Sequence, residues 1–200
     1  MEIKTKAKKT KQYILEKVSP IFNKNGYSGT SLSDITKATG LTKGAIYGNF
    51  TNKEELALEA FNYNIRFVIF KIRDIIVTID SPVSQLFALT NFYRTYYLQD
   101  TNIGGCPILN VGIDANHTNP KLFKQVKNVM VKLKDSVSKI IEEGKQKGEI
   151  KKSIDSEIYG GRIFSLIEGS IFTSVMLKDD KYVKDMMNHL DEMIKNEMIK

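Results

Sequence analysis

The 200-residue chain has a single cysteine, Cys106, and only two histidines. One cysteine closes no intrachain disulfide, and so few sulfur and imidazole groups leave no spaced ligand set for zinc. Disulfide-stapled and zinc-built folds drop out, and a reducing cytoplasmic setting is the natural expectation. No apolar run reaches bilayer-spanning length, and the segment after the basic N-terminus, "YILEKVSPIF", is amphipathic and charged. A soluble chain without export signal or membrane partner is expected. Glycine-rich phosphate loops, a nucleophile elbow and metal-spaced histidines are missing too, so no catalysis, cofactor or metal is expected. Strand-like alternation never lasts more than a few residues, while 42% hydrophobic content suffices for a core. The fold class that remains is all-α.

What is present is a lopsided charge. Residues 1–53 contain ten lysines against Glu2, Glu16 and Asp34, a surplus of seven that equals the net charge of the whole chain. The remainder therefore nets to zero. A basic patch confined to one end points to a polyanion, and nucleic acid ranks ahead of membrane because no apolar anchoring face accompanies the lysines. Lys4, Lys6, Lys8, Lys9 and Lys11 precede any apolar pattern and read as a flexible arm reaching DNA phosphates.

Helix signals follow in quick succession. Ile14, Val18, Ile21 and Phe22 line one face of a first helix that stops at Asn25-Gly26. Ser19-Pro20 lies inside it and predicts a bend. In "TSLSDITKATG", Thr30 or Ser31 caps a second helix, Asp34 closes a box with Ser31, and Gly40 terminates it. Thr42 then caps a third helix that turns Ala45, Ile46 and Phe50 inward, and Asn52 with Glu55 opens a fourth. Two short helices joined by a tight glycine turn make a helix-turn-helix, whose second helix can enter the major groove.

Gly44 and Gly48 stand four apart in that third helix, where each costs about 1 kcal/mol relative to alanine. With Ala45, Ile46 and Phe50 inward, Lys43, Gly44, Tyr47 and Gly48 form the opposite face. Bare backbone there allows close approach to bases and phosphates.

The run "TSLSDITKATGLTKGAIYGNFTNKEELALEAF" resembles the DNA-binding head of TetR-type bacterial transcriptional regulators over roughly residues 10–62. The resemblance implies a homodimer on a double-stranded operator, with a three-helix head (residues 1–55) and a helical body (56–200) that binds a small-molecule inducer and dimerises. It implies phosphate contacts by Thr30, Ser31, Tyr47 and Asn49 and base-edge contacts by Lys43 and Gly44. Lys53 would bind phosphate at the start of helix four, and Phe50 would be core. Thr42 and Gly48 complete the expected DNA-binding set.

Further helices are expected over 53–79, 83–99, 104–117, 120–147, 154–178 and 180–198. Aromatic side chains gather at Phe92, Tyr93, Tyr96 and Tyr97 and recur at Phe67 and Phe164, with Met130. They suit a core, or a pocket with hydroxyl donors. "GGCPILNVGIDANH" resembles a segment found in one branch of these regulators, some members of which sense electrophiles through the cysteine. Cys106 is thus either a reactive thiol at a helix start or a buried structural one. Asn110 and Asp114, one turn apart, and His117 three later form a small polar set that could anchor a ligand or cap the helix. The small residues of "SLIEGSIFTSVML" and the methionine-rich "MMNHLDEMIKNEM" suit a subunit interface. The function expected is a repressor released from a palindromic operator by a small-molecule or electrophile inducer. The rival reading is a constitutive dimeric architectural DNA-binding protein with a filled body and no ligand.

Overall fold

A computed structural model of the chain describes residues 2–95 and 105–200, with residues 2–6 described by backbone alone. Nine α-helices follow one another among these residues: α1 (Glu2–Asn25), α2 (Leu32–Thr39), α3 (Lys43–Tyr47), α4 (Lys53–Ile76), α5 (Pro82–Thr95), α6 (Pro107–Thr118), α7 (Pro120–Gln146), α8 (Ser156–Leu177) and α9 (Lys181–Met193). A π-helical turn, Ile194–Met198, closes the series. Among the described residues the sole extended pairing is one antiparallel bridge, Ile150 with Ile199, and no helix is long and apolar enough to cross a membrane.

The described residues form two compact units, 2–68 with 105–127 and 69–95 with 128–200. The division at residue 55 expected from the sequence follows chain order, whereas packing groups the first two thirds of α4, α6 and the start of α7 with the N-terminal helices.

In the first unit, Ile14 and Val18 of α1 are fully buried with Ile35 of α2, Ile46 of α3 and Leu56 of α4, and Phe22, Phe50 and Phe61 complete the core. α1 begins at Glu2, so residues 2–11 are helix and not the flexible arm expected. Lysine, alanine and glutamate are strong helix formers, and they extend a helix that the apolar face from Ile14 onward has already nucleated. Lys11 is also tied down: its Nζ stands 4.9 Å from the centre of the Phe50 ring and 3.8 Å from carboxylate oxygens of both Glu55 and Glu59. Pro20 sits within α1 without ending it. Nearby, the buried Asn64 amide of α4 donates to the Ser19 carbonyl at 2.9 Å and fastens the two helices.

The second unit is built around α5, α8 and α9. Leu86, Leu89 and Phe92 of α5, Ile163, Ile167 and Ile171 of α8, and Met187, Leu190 and Met193 of α9 are all buried. Asp191 accepts hydrogen bonds from Arg94 and from Thr90 Oγ1, the latter at 2.6 Å, stitching α9 to α5. Met187 and Met193 of α9 thus belong to this core, on the apolar face of a strongly amphipathic helix, while Met186 is half-buried. α8 differs. Its other side leaves Ile158, Phe172 and Met176 exposed, with Ser165 and Gly169 between them.

Candidate nucleic-acid interface

The caps read from the sequence set the geometry of the head. Ser31 precedes α2 with extended backbone; its Oγ accepts from the Asp34 amide at 3.1 Å, and the Asp34 carboxylate accepts from the Ser31 amide at 2.8 Å. Hydrogen bonds from the Ser31 side chain and then its backbone hold the Asp34 carboxyl below the ordinary aspartate range. Gly40 ends α2 in the left-handed conformation at φ 66°, a geometry that favours glycine, and its amide donates to the Thr36 carbonyl. Tyr13 of α1 braces this turn by donating its hydroxyl to the Thr39 carbonyl at 3.0 Å. Thr42 Oγ1 then accepts from the Ala45 amide at 3.2 Å and starts α3, while Asn52 Oδ1 accepts from the Glu55 amide at 2.8 Å and starts α4.

Ile46 and Phe50 anchor α3 from beneath, and Thr42, Lys43, Gly44 and Gly48 are exposed. A Cβ added at Gly44 would meet only Thr42 Oγ1, at 4.0 Å. The backbone there is bare and open. Gly48 is not in mid-helix as expected but caps the C-terminus of a five-residue α3, its amide donating to the Gly44 carbonyl at 2.9 Å. A Cβ on Gly48 would lie 3.2 Å from that carbonyl oxygen, so tightness of the last turn also favours glycine here. Asn49 donates its side-chain amide to the Ala45 carbonyl at 2.9 Å and, like Tyr47, is half-buried at the rim.

Of the expected phosphate contacts, Thr30 is placed differently, while Lys53 keeps its position at the start of α4 with an aromatic ring beneath it. Thr30 is fully buried, and its hydroxyl donates to the Gly26 carbonyl at 2.7 Å. Of the two neighbouring hydroxyls only Ser31 faces outward, because Thr30 is used to close the α1–α2 turn. Lys53 lies at the start of α4, but its ammonium sits over the ring of Tyr27, 4.4 Å from the centroid. Burial lowers its pKa, and the charge of Asp114 partly offsets that. Lys8, Lys9, Lys24 and Lys37 add exposed positive charge to the same unit.

The residues expected around a ligand are divided between the units. Phe67, Cys106, Asn110 and Asp114 belong to the first, and Phe92, Tyr93, Met130 and Phe164 to the second; Tyr96 and Tyr97 lie outside the described residues. Phe92 and Phe164 are buried, with Tyr93 edge-on to Phe92 at 5.2 Å, whereas Phe67 and Met130 are exposed. Cys106, at the N-cap position of α6, is 6% exposed. The Asp114 carboxylate makes contacts far along the chain: its Oδ2 accepts from the amides of Tyr27 at 2.6 Å and Ser28 at 3.1 Å. In the second unit a groove of about 380 Å³ runs between α4 and α5, lined by Lys71, Asp74, Ile75, Ala88, Asn91, Phe92 and Thr95. Tyr13 and Tyr27 carry no local signal in the sequence, and Lys11 reads there only as part of the arm, because their roles depend on partners far along the chain.

Comparison with known proteins agrees with this architecture. Residues 14–60 match the family described as bacterial regulatory proteins, tetR family, and residues 82–190 match the tetracyclin repressor-like C-terminal domain. A TetR-family transcriptional regulator from Cytophaga hutchinsonii is 33% identical and superposes with a TM-score of 0.91 over 98% of both chains. A TetR regulator from Chloroflexus aurantiacus J-10-FL gives 30% identity, the same TM-score and the same coverage. The HTH-type transcriptional regulator YxaF of Bacillus subtilis (strain 168) is 30% identical over 176 residues, 85% of this chain and 87% of its own.

Proposed function

This chain belongs to the tetR family of bacterial regulatory proteins, and from that premise we propose that it is a homodimeric repressor released from a palindromic operator by a small-molecule inducer. The observation that carries the DNA half of this reading is the Thr42-capped α3, anchored by Ile46 and Phe50, with Gly44 open to solvent between Thr42 and Lys43. Lys43 and the Gly44 backbone would meet base edges, and Ser31, Tyr47, Asn49 and Lys53 would hold phosphates and set register. The apolar outer face of α8, with Ser165 and Gly169 permitting close approach, would pair with its copy about a twofold axis.

The inducer is assigned to the body, where the groove beside Phe92 offers an apolar wall with Lys71, Asp74 and Asn91 as polar anchors. Such a mixture suits a mostly apolar molecule carrying one or two polar groups. Carrying the operator-competent population from 99:1 to 1:99 needs a preference of about 5.5 kcal/mol for the incompetent state, shared between two sites when both are filled. Reciprocity then requires operator DNA to weaken inducer binding by the same total. A thermal-shift screen of apolar and electrophilic compounds identifies binders, and calorimetry with and without saturating operator measures the coupling. Weaker compound binding in the presence of operator supports induction. Equal affinities, or no stabilising compound at all, favour the constitutive architectural reading.

A further inference from the structure

Asp114 lies on α6, 87 residues from Tyr27, and nothing in the sequence links them. In the fold its half-buried carboxylate meets the turn between α1 and α2. Oδ2 accepts from the Tyr27 amide at 2.6 Å and from the Ser28 amide at 3.1 Å. Gly26, immediately before, is held at φ 73°, and a Cβ there would lie 2.8 Å from both Cγ and Oδ2 of Asp114. The turn is therefore shaped around the carboxylate, with successive amides converging on one oxygen as in an anion-binding nest. A second tie runs parallel to it: the Asn23 side-chain amide donates to the Gly105 carbonyl at 3.1 Å.

The turn that Asp114 holds leads directly into the DNA-facing residues. Thr30 donates to the Gly26 carbonyl across it, and Ser31 begins the capping box of α2. The Tyr27 ring carries the Lys53 ammonium. We propose that Asp114 is a positioning residue for DNA binding: it fixes the α1–α2 turn so that Tyr27 presents Lys53, and the start of α2 presents Ser31, to the DNA backbone. The inference rests on the DNA-binding reading above.

Charge alone argues the opposite. A carboxylate beside Lys53 offsets positive charge and repels phosphate, so simple Coulomb reasoning makes its removal strengthen binding. Positioning makes removal weaken binding, because a displaced lysine no longer releases a counterion. The two effects differ in sign.

The test measures the affinity of the full-length protein for a DNA fragment retained by the wild type, across a salt series, for wild type, Asp114→Ala and Tyr27→Leu. Asp114→Ala should bind about tenfold more weakly or worse, with the slope of log affinity against log salt shallower by about 0.9 for each lost lysine–phosphate contact. Tyr27→Leu keeps both amides but removes the ring under Lys53. It should show the same change in slope, and it decides the matter if Asp114→Ala does not fold. A merely structural role for Asp114 would lower thermal stability and leave the slope of the folded protein alone. An unchanged or steeper slope overturns the proposal, whatever the affinity. Wild-type protein that retains no DNA overturns the underlying function instead.

Discussion

Gly44→Ala separates two properties that usually change together, folding stability and binding. Gly44 is an exposed helical residue, and an added Cβ meets nothing nearer than Thr42 Oγ1 at 4.0 Å. The folded protein accommodates the methyl group without strain. Replacing glycine by alanine inside a helix is worth up to about 1 kcal/mol, which in a protein of this size raises Tm by about 2–4 °C. If Gly44 lies against base edges, the same methyl group holds α3 off the groove floor. Loss of one good base contact costs about 1–3 kcal/mol. Over two subunits that makes about 2–6 kcal/mol, a weakening of roughly 30-fold to 20,000-fold. Thermal unfolding followed by circular dichroism and operator binding followed by fluorescence anisotropy, both at fixed salt, read the two effects. A more stable protein with native affinity would refute the docking of α3 in the groove. A Gly48→Leu variant is less clean, because its Cβ lies 3.2 Å from the Gly44 carbonyl oxygen and a loss of affinity would mix local distortion with steric exclusion.

Three further outcomes follow from the head. Removing residues 1–9 deletes Lys4, Lys6, Lys8 and Lys9 while leaving Lys11 on Phe50; the salt slope of DNA binding should fall by at most about 0.9 per lost phosphate contact in each subunit, and an unchanged slope would show that this helical extension never reaches DNA. Thr30→Val removes the buried hydrogen bond to the Gly26 carbonyl and should cost about 1–3 kcal/mol in denaturant unfolding with no change in salt slope, whereas a shallower slope would put Thr30 back at a phosphate. The Asp34 carboxyl titrates below its ordinary range when folded, so its contribution to stability is present above the unfolded value and lost as pH falls through the folded one; Asp34→Asn should flatten that acid limb, and parallel stability–pH curves would contradict the box as its cause.

The parts of the fold that depend on near neighbours are legible in the sequence alone. Ser31 with Asp34, Thr42 at the start of α3, Asn52 with Glu55 and Gly40 in the left-handed conformation are all interactions within a few residues, and sequence spacing encodes them. Lys4 to Lys11 misled because a segment without an apolar face has nothing to bury, which leaves its helix propensity untouched. Thr30 and Ser31 are equally good caps in isolation; burial by the surrounding helices decided between them. The Asp114 carboxylate and the Tyr27 and Ser28 amides meet only through the fold, as do Lys53 and Tyr27, so no local pattern announces them. Met187 and Met193 show the same limit, since a strong apolar stripe says that a face is covered without saying by which helix.

The central claim is that two copies of this head read a symmetric site on duplex DNA. Purified protein is incubated with a pool of random duplexes at physiological salt, and the retained fragments are sequenced. The account predicts enrichment of a twofold-symmetric sequence whose half-sites are centred about one helical turn apart, roughly 34–36 Å or a multiple of it. That enrichment should disappear with Gly44→Leu. Retention of duplexes without any shared sequence, or an enriched motif that survives that substitution, would contradict it.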